Sequence, residues 1–223
     1  MHHPKYARLG LNPRSVPLNT IVLFALGAIW GLGFSTFWTS DSFYDVAIYF
    51  SGLTFCHFWE YLYVALFQPS ELSFDSFLLY QSNEFVIALA VAWAEYILER
   101  LLFPSMKSYG PLVYIGQVLR TTSMYTAGSN FHHQVRDTRD EKHKLVTKGI
   151  YSVMRHPSYC GWFWYSVGGQ LVLSNPICLV AYVYVLWNFF NDRIQDEEAS
   201  LISFFGKDYI EYKKRTISGV PLI

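Results

Sequence analysis

Between Gly149 and Trp162 the chain gathers Tyr151, Arg155, His156 and Tyr159 directly ahead of a long apolar run, with Pro157 between the polar cluster and that run. Proline cannot continue a helix from its interior, but it suits the first helical turn. The pattern predicts a hydrogen-bond-rich loop at the mouth of a membrane helix. An enzyme could hold a water-soluble cofactor against a lipid substrate at such a place.

A second cluster lies in the tail. Asn191 to Phe205 reads as an amphipathic helix ended by Gly206, with Ile194, Leu201 and Phe205 as its apolar stripe. Arg193 and Glu197 are four residues apart and share a face of it. A plain surface helix with an i,i+4 ion pair worth about 0.2–0.5 kcal/mol satisfies the same spacing. Beyond it come Tyr209, Tyr212 and the basic run Lys213-Lys214-Arg215, suited to contact with anionic lipid headgroups.

The elements that position these groups are apolar. Of 223 residues, 52% are hydrophobic, 19% aromatic and only 15% charged, against roughly 25% charged in soluble domains. Net charge is zero, which gives no support for nucleic-acid binding. A spanning helix needs about 20 apolar residues. Candidate segments are Leu18–Trp38, Phe43–Phe67, Phe77–Phe103, Pro111–Gly128, Ser158–Ser174 and Pro176–Asn191, the last two separated by the turn-forming pair Asn175-Pro176. The expected fold is all-α: a polytopic membrane protein with about six segments, a cytosolic cofactor-binding loop and a C-terminal amphipathic helix. Two regions are expected, transmembrane helices over 1–128 and a catalytic region over 129–223 that contains a helical hairpin over 158–191. The first apolar segment is longer than a signal-peptide core and is followed by no small-x-small cleavage site, so it reads as an uncleaved anchor.

Segments 1–17, 129–157 and 192–223 hold 14 of the 17 basic residues. An even number of spans separates them, so all three can face the cytosol as the positive-inside rule requires. His57, Glu60, Glu95, Glu99, Arg100 and Arg120 fall within apolar segments. They read either as a polar cavity or proton path, or as groups near segment ends and in interhelical pairs. Cys56, Cys160 and Cys178 have neither pairing nor metal-like spacing.

Two blocks of residues together carry a family resemblance. One is His143-Lys-Leu-Val-Thr-Lys-Gly149, Tyr151, Arg155-His-Pro-Ser-Tyr159 and Gly161. The other is Asn175-Pro176, Arg193, Glu197-Glu198, Leu201, Phe205-Gly206, Tyr209, Tyr212 and Gly219 through Pro221. The chain resembles the isoprenylcysteine carboxyl methyltransferases from Met124 to Ile223, and by hydropathy alone before that. Arg-His-Pro-x-Tyr by itself also occurs in phospholipid methyltransferases and in nicotinamide-dependent membrane sterol reductases, which stand as alternatives. A non-catalytic polytopic protein such as a transporter is a further class, but no internal repeat supports it.

The resemblance implies transfer of a methyl group from S-adenosyl-L-methionine to the α-carboxylate of a C-terminal S-prenylated cysteine. Such a carboxylate is exposed by trimming of CaaX proteins, small GTPases and similar. It implies an endoplasmic-reticulum membrane enzyme with its cofactor site on the cytosolic side, and membrane lipid but neither nucleic acid nor metal among its partners. The cofactor would be held by His143, Lys144, Leu145, Val146, Tyr151, His156, Pro157, Ser158, Tyr159 and Glu197. Family members often have Gln where this chain has Arg136, and an arginine there could meet the cofactor carboxylate. Arg193 would bind the prenylcysteine carboxylate bidentately and is the expected catalytic residue. That carboxylate is ionised at neutral pH, so no general base is needed. Alignment and desolvation carry the reaction, and His156 is read as a ligand or scaffold group.

Overall fold

The computed structural model describes residues 12–104, 112–133 and 144–223. It divides into two compact units, 1–110 with 172–174 and 111–171 with 175–223. The second unit therefore begins ahead of the helix over 112–127, whereas composition placed the division at 128/129.

In the first unit α1 spans Val16–Thr39. The Ser15 hydroxyl accepts from the Leu18 N–H, Pro17 lies in the first turn, and no charge interrupts the helix. Twenty-four residues rise about 36 Å, so α1 is long and apolar enough to cross a bilayer. Helix α2 spans Tyr44–Phe67 and buries His57 and Glu60. His57 Nδ1 lies 2.8 Å from the Phe77 carbonyl oxygen.

The sequence reading of Phe77–Phe103 as one segment is corrected. Phe74–Phe77 forms a short 3₁₀ turn closed by a Ser73/Ser76 capping box, and Leu78 takes a left-handed conformation (φ 54°). Helix α3 begins only at Asn83 and runs to Leu102, with Ser82 capping the Phe85 N–H. Phe77 is fully buried and stacks on Tyr61 at 4.1 Å between ring centroids, so its apolar character belongs to the turn's packing. Asp45 accepts a hydrogen bond from the Tyr96 hydroxyl at 3.0 Å, and Arg100 donates to the Ser42 carbonyl. Arg100, in the last turn of α3, fits the reading of these ionisable groups as lying near segment ends.

The second unit holds α4 (Leu112–Ala127), α5 (Pro157–Val172), α6 (Pro176–Phe205) and α7 (Lys207–Lys214). Helices α4 and α5 touch backbone to backbone at two glycines. A Cβ on Gly116 would stand 2.2 Å from the Tyr165 nitrogen, and one on Gly161 would stand 2.5 Å from the Arg120 nitrogen. Small residues permit such approach where lipid supplies no hydrophobic drive between helices. The approach brings Arg120 of α4 to Ser158 of α5: its guanidinium donates to the hydroxyl at 2.8 Å and sits 4.5 Å from the Trp162 ring centroid. Asn175 closes the turn after α5 by donating to the Gln170 side chain, and Pro176 opens α6.

Helix α6 is a second correction. A hairpin helix ending near Asn191 and a separate amphipathic helix from there to Phe205 were expected, but one 30-residue helix covers both. No glycine or proline occurs from Ile177 to Phe205, so polarity changes at Asp192 without a break in the backbone. The rise is about 45 Å, more than the roughly 30 Å hydrocarbon core.

The tail beyond α6 is fastened to the loop preceding α5. Backbone N–H groups of Arg155 and His156 donate to the Ile217 and Ser218 carbonyls at 2.9 Å each, beside a single parallel bridge between Met154 and Ile217. The Tyr212 hydroxyl donates to the Tyr151 carbonyl at 2.6 Å. At the centre lies Glu198, 6% exposed. It accepts from Arg155 Nε at 2.7 Å and from Lys213 Nζ, and lies 3.2 Å from His156 Nε2. Burial alone would raise the Glu198 pKa. The hydrogen bonds from His156, Lys213 and Arg155 outweigh that and hold the carboxyl well below its ordinary range.

Two outcomes follow. Gly161→Leu should lower the thermal unfolding midpoint in detergent by roughly 5–10 °C. Gly27→Leu, at a position with no atom within 4 Å of an added Cβ, should shift it by less than about 2 °C. Equal shifts would overturn the backbone-contact account. Glu198→Gln should cost on the order of 3 kcal/mol at neutral pH by leaving its partners uncompensated. Since the folded carboxyl titrates below its ordinary value of 4.5, its stabilisation is present above that pH and is lost as pH falls through 4.5 toward the folded value. The variant's midpoint, followed by scanning fluorimetry, should therefore vary less with pH in the acid range than that of the unaltered chain.

Candidate active site

The loop, the start of α5, the end of α6 and α7 line a pocket of about 680 Å³, the open solvent at its mouth included. Residues 144–147 run without regular structure along one wall. The Asn130 side chain accepts from the Lys144 N–H at 2.8 Å and anchors that run. Pro157 opens α5, and its N-terminal turn presents Ser158 and Tyr159 to the pocket.

His156 is buried, stacks parallel to Tyr159 at 5.6 Å between centroids, and has Nδ1 3.7 Å from a Glu197 oxygen. Tyr159 in turn stacks on Phe190 of α6. Its hydroxyl accepts from Arg193 Nε at 2.9 Å. Arg193 also donates to the His133 carbonyl and lies 5.5 Å from the Tyr159 ring centroid. Among the described residues two of its five N–H donors are so engaged, which fixes the guanidinium.

Arg193, Glu197, Leu201 and Phe205 follow one another at four-residue steps along α6, so they share a face. The last three line the pocket, and Arg193 reaches it through Tyr159. Glu198, one residue on, turns about 100° away into the fastening described above. Among the described residues neither the buried Glu197 Oε2 nor the buried Tyr209 hydroxyl has a hydrogen-bond partner. Burial pushes the Tyr151 and Tyr209 phenols up, and that of Tyr212 up to about 12. All three stay protonated at neutral pH and keep an O–H to donate.

Of the residues expected at a cofactor site, Lys144, Leu145, Val146, Tyr151, His156, Pro157, Ser158, Tyr159 and Glu197 are brought together around this pocket. Arg136 and His143 lie outside the described residues. Sequence reasoning did not single out Asn130 or His132, which also line it; it placed Arg155 in the polar cluster, Leu201 and Phe205 in an apolar stripe, and Tyr209 and Tyr212 in the tail motif, without assigning them to the cofactor pocket. The four-residue step from Glu197 was the signal for Leu201 and Phe205. Nothing local marks Asn130.

Comparison with known proteins gives this pocket its context. Residues 110–203 match the model of the isoprenylcysteine carboxyl methyltransferase (ICMT) family. Protein-S-isoprenylcysteine O-methyltransferase of Homo sapiens is 43% identical over 205 residues, 89% of this chain and 72% of that protein. The Dictyostelium discoideum enzyme of the same name is 46% identical over 180 residues, 78% and 76% of the two chains. That of Saccharomyces cerevisiae is 37% identical over 225 residues, 94% of each. The solved structure of the eukaryotic intramembrane Ras methyltransferase ICMT superposes with a TM-score of 0.84 at 33% identity, covering 98% of this chain and 90% of that one. With such identity over most of each protein's length, the chain belongs to the isoprenylcysteine carboxyl methyltransferase family and is a membrane methyltransferase.

Proposed function

We propose that the chain moves a methyl group from S-adenosyl-L-methionine to the α-carboxylate of a C-terminal S-prenylated cysteine on CaaX-processed proteins. It does so in the endoplasmic-reticulum membrane, with α1 to α6 as membrane segments and the pocket open to the cytosol. The observation that carries the reading is the run of contacts from Arg193 to the Tyr159 hydroxyl, from the Tyr159 ring to His156 stacked on it, and from His156 to Glu197. It joins a cation suited to a carboxylate with a pocket whose buried acceptor lacks a donor.

The pocket suits the cofactor's chemistry. An unpartnered carboxylate oxygen accepts from ribose hydroxyls or an ammonium group, and Leu145, Val146, Leu201 and Phe205 offer apolar wall to a base. When bound, the cofactor supplies an electrophilic sulfonium methyl. Glu197 and the turn from His156 to Tyr159 hold its polar end. Arg193, braced by Tyr159 and the His133 carbonyl, orients the acceptor carboxylate. A C-terminal carboxyl has an ordinary pKa of about 3.5, so it attacks as the anion and no side chain need take a proton. His156, stacked on Tyr159 and set between Glu197 and Glu198, serves as scaffold. Alignment of two bound reactants away from bulk water then accounts for the rate.

Purified protein given labelled S-adenosylmethionine and N-acetyl-S-farnesylcysteine should form a base-labile methyl ester, and N-acetylcysteine should not be esterified. Label recovered in phospholipid alone would point to the lipid methyltransferases instead. Arg193→Ala should slow turnover by about 30-fold or more, the effect of truncating one partner of a buried charged pair. Its affinity for S-adenosylhomocysteine should stay within about threefold of the unaltered protein's, and a parallel loss of affinity would remove the carboxylate role. Glu197→Gln should weaken S-adenosylhomocysteine binding in calorimetry by roughly 10-fold. An unchanged dissociation constant would reduce Glu197 to a structural part of α6.

A further inference from the structure

Tyr209 is the most deeply buried phenol of the pocket wall. Its side chain is 0% exposed, yet its hydroxyl has no hydrogen-bond partner. A buried hydroxyl left unpaired is costly, and a ligand acceptor would remove that cost. The ring itself is held in place by Tyr212, edge-on at 5.9 Å, so packing rather than hydrogen bonding positions it. The geometry points to the Tyr209 hydroxyl as hydrogen-bond donor to a ring nitrogen of the cofactor's purine base, an inference that rests on the adenosyl-cofactor reading above.

The surroundings select that acceptor over an anionic one. Glu197 lines the same pocket with an unpaired oxygen, and Glu198 lies close behind. The nearby cations Arg155 and Lys213 are already committed to Glu198. A ligand carboxylate at Tyr209 would thus meet acidic groups whose neighbouring cations Arg155 and Lys213 are already engaged, whereas a neutral ring nitrogen would not meet that repulsion. The adjoining wall is apolar: Leu201 and Phe205 come from the last turns of α6, directly before the Gly206 bend that leads to Tyr209. A flat aromatic base buries well against such side chains. The phenol, pushed up by burial, keeps its proton and acts as donor.

The test is calorimetry on the full-length protein in detergent, with S-adenosylhomocysteine and its 1-deaza, 3-deaza and 7-deaza analogues. Each analogue replaces one ring nitrogen by C–H and keeps the shape of the base. One analogue should bind about 3- to 10-fold more weakly than S-adenosylhomocysteine, the effect of one lost hydrogen bond. Tyr209→Phe should weaken S-adenosylhomocysteine by a similar factor and leave that analogue's affinity unchanged. Because the hydroxyl has no internal partner, the variant's ligand-free unfolding midpoint should be equal or higher, while the stabilisation added by S-adenosylhomocysteine should shrink. Equal affinity for all three analogues in the unaltered protein overturns the inference without recourse to any variant. So does a Tyr209→Phe protein that binds S-adenosylhomocysteine undiminished, or one that loses the same factor for every analogue. If the unaltered protein fails to bind S-adenosylhomocysteine at all, the cofactor reading falls and this inference falls with it.

Discussion

The geometry of the pocket depends on one buried carboxylate. Glu198 draws Arg155, Lys213 and His156 onto its two oxygens and so ties α6, the loop before α5 and the end of α7 into one assembly. Burying a carboxylate is expensive unless its lone pairs are filled. Here three donors fill them. Arg155 then uses Nη1 on both the Lys213 and the Thr216 carbonyls, so the side chain that neutralises Glu198 also fixes the backbone of the tail. The His156–Tyr159 turn is held at both ends as a result, by backbone hydrogen bonds to Ile217 and Ser218 and by stacking on Phe190.

Helix α6 divides its labour by angle. Its first half is apolar from Pro176 to Asn191, and its second half carries the charged residues that face the pocket and the tail. Adjacent glutamates point in different directions: Glu197 leaves an acceptor without a partner, whereas Glu198 is saturated. A rigid, unbroken helix keeps the distance between those two roles constant. On the proposed reading, a carboxylate acceptor placed on a separate, hinged tail helix would lose the precision of placement that alignment of two reactants needs.

Close backbone contact between α4 and α5 serves the same end from the other side. With no side chain at Gly116 or Gly161, Arg120 comes near enough to donate to Ser158 and to lie against Trp162. A buried arginine in an apolar segment is thereby hydrogen-bonded and shielded by an aromatic face. The hydroxyl it holds belongs to the first turn of α5, beside the pocket.

The sequence by itself determined the features that depend on near neighbours. Ser15 and Pro17 mark the start of α1, Pro157 and Pro176 the starts of α5 and α6, and Gly206 the end of α6, because capping and proline geometry act within one turn. The motif from Lys144 to Tyr159 and the four-residue step from Arg193 to Glu197 were legible for the same reason. Only the tertiary structure decided where α3 begins, since Phe77 to Tyr80 are as apolar as a helix yet pack as a turn. It alone joined 176–191 to 192–205, because a change from apolar to charged residues carries no instruction to break a helix. It alone showed Glu198 held by three donors and turned Tyr209 and Asn130 into pocket residues. The partners concerned, such as Arg155 with Glu198 or Tyr151 with Tyr212, lie 43 and 61 positions apart. Contacts over such separations are set by how helices pack, and no local pattern encodes the phase at which they meet.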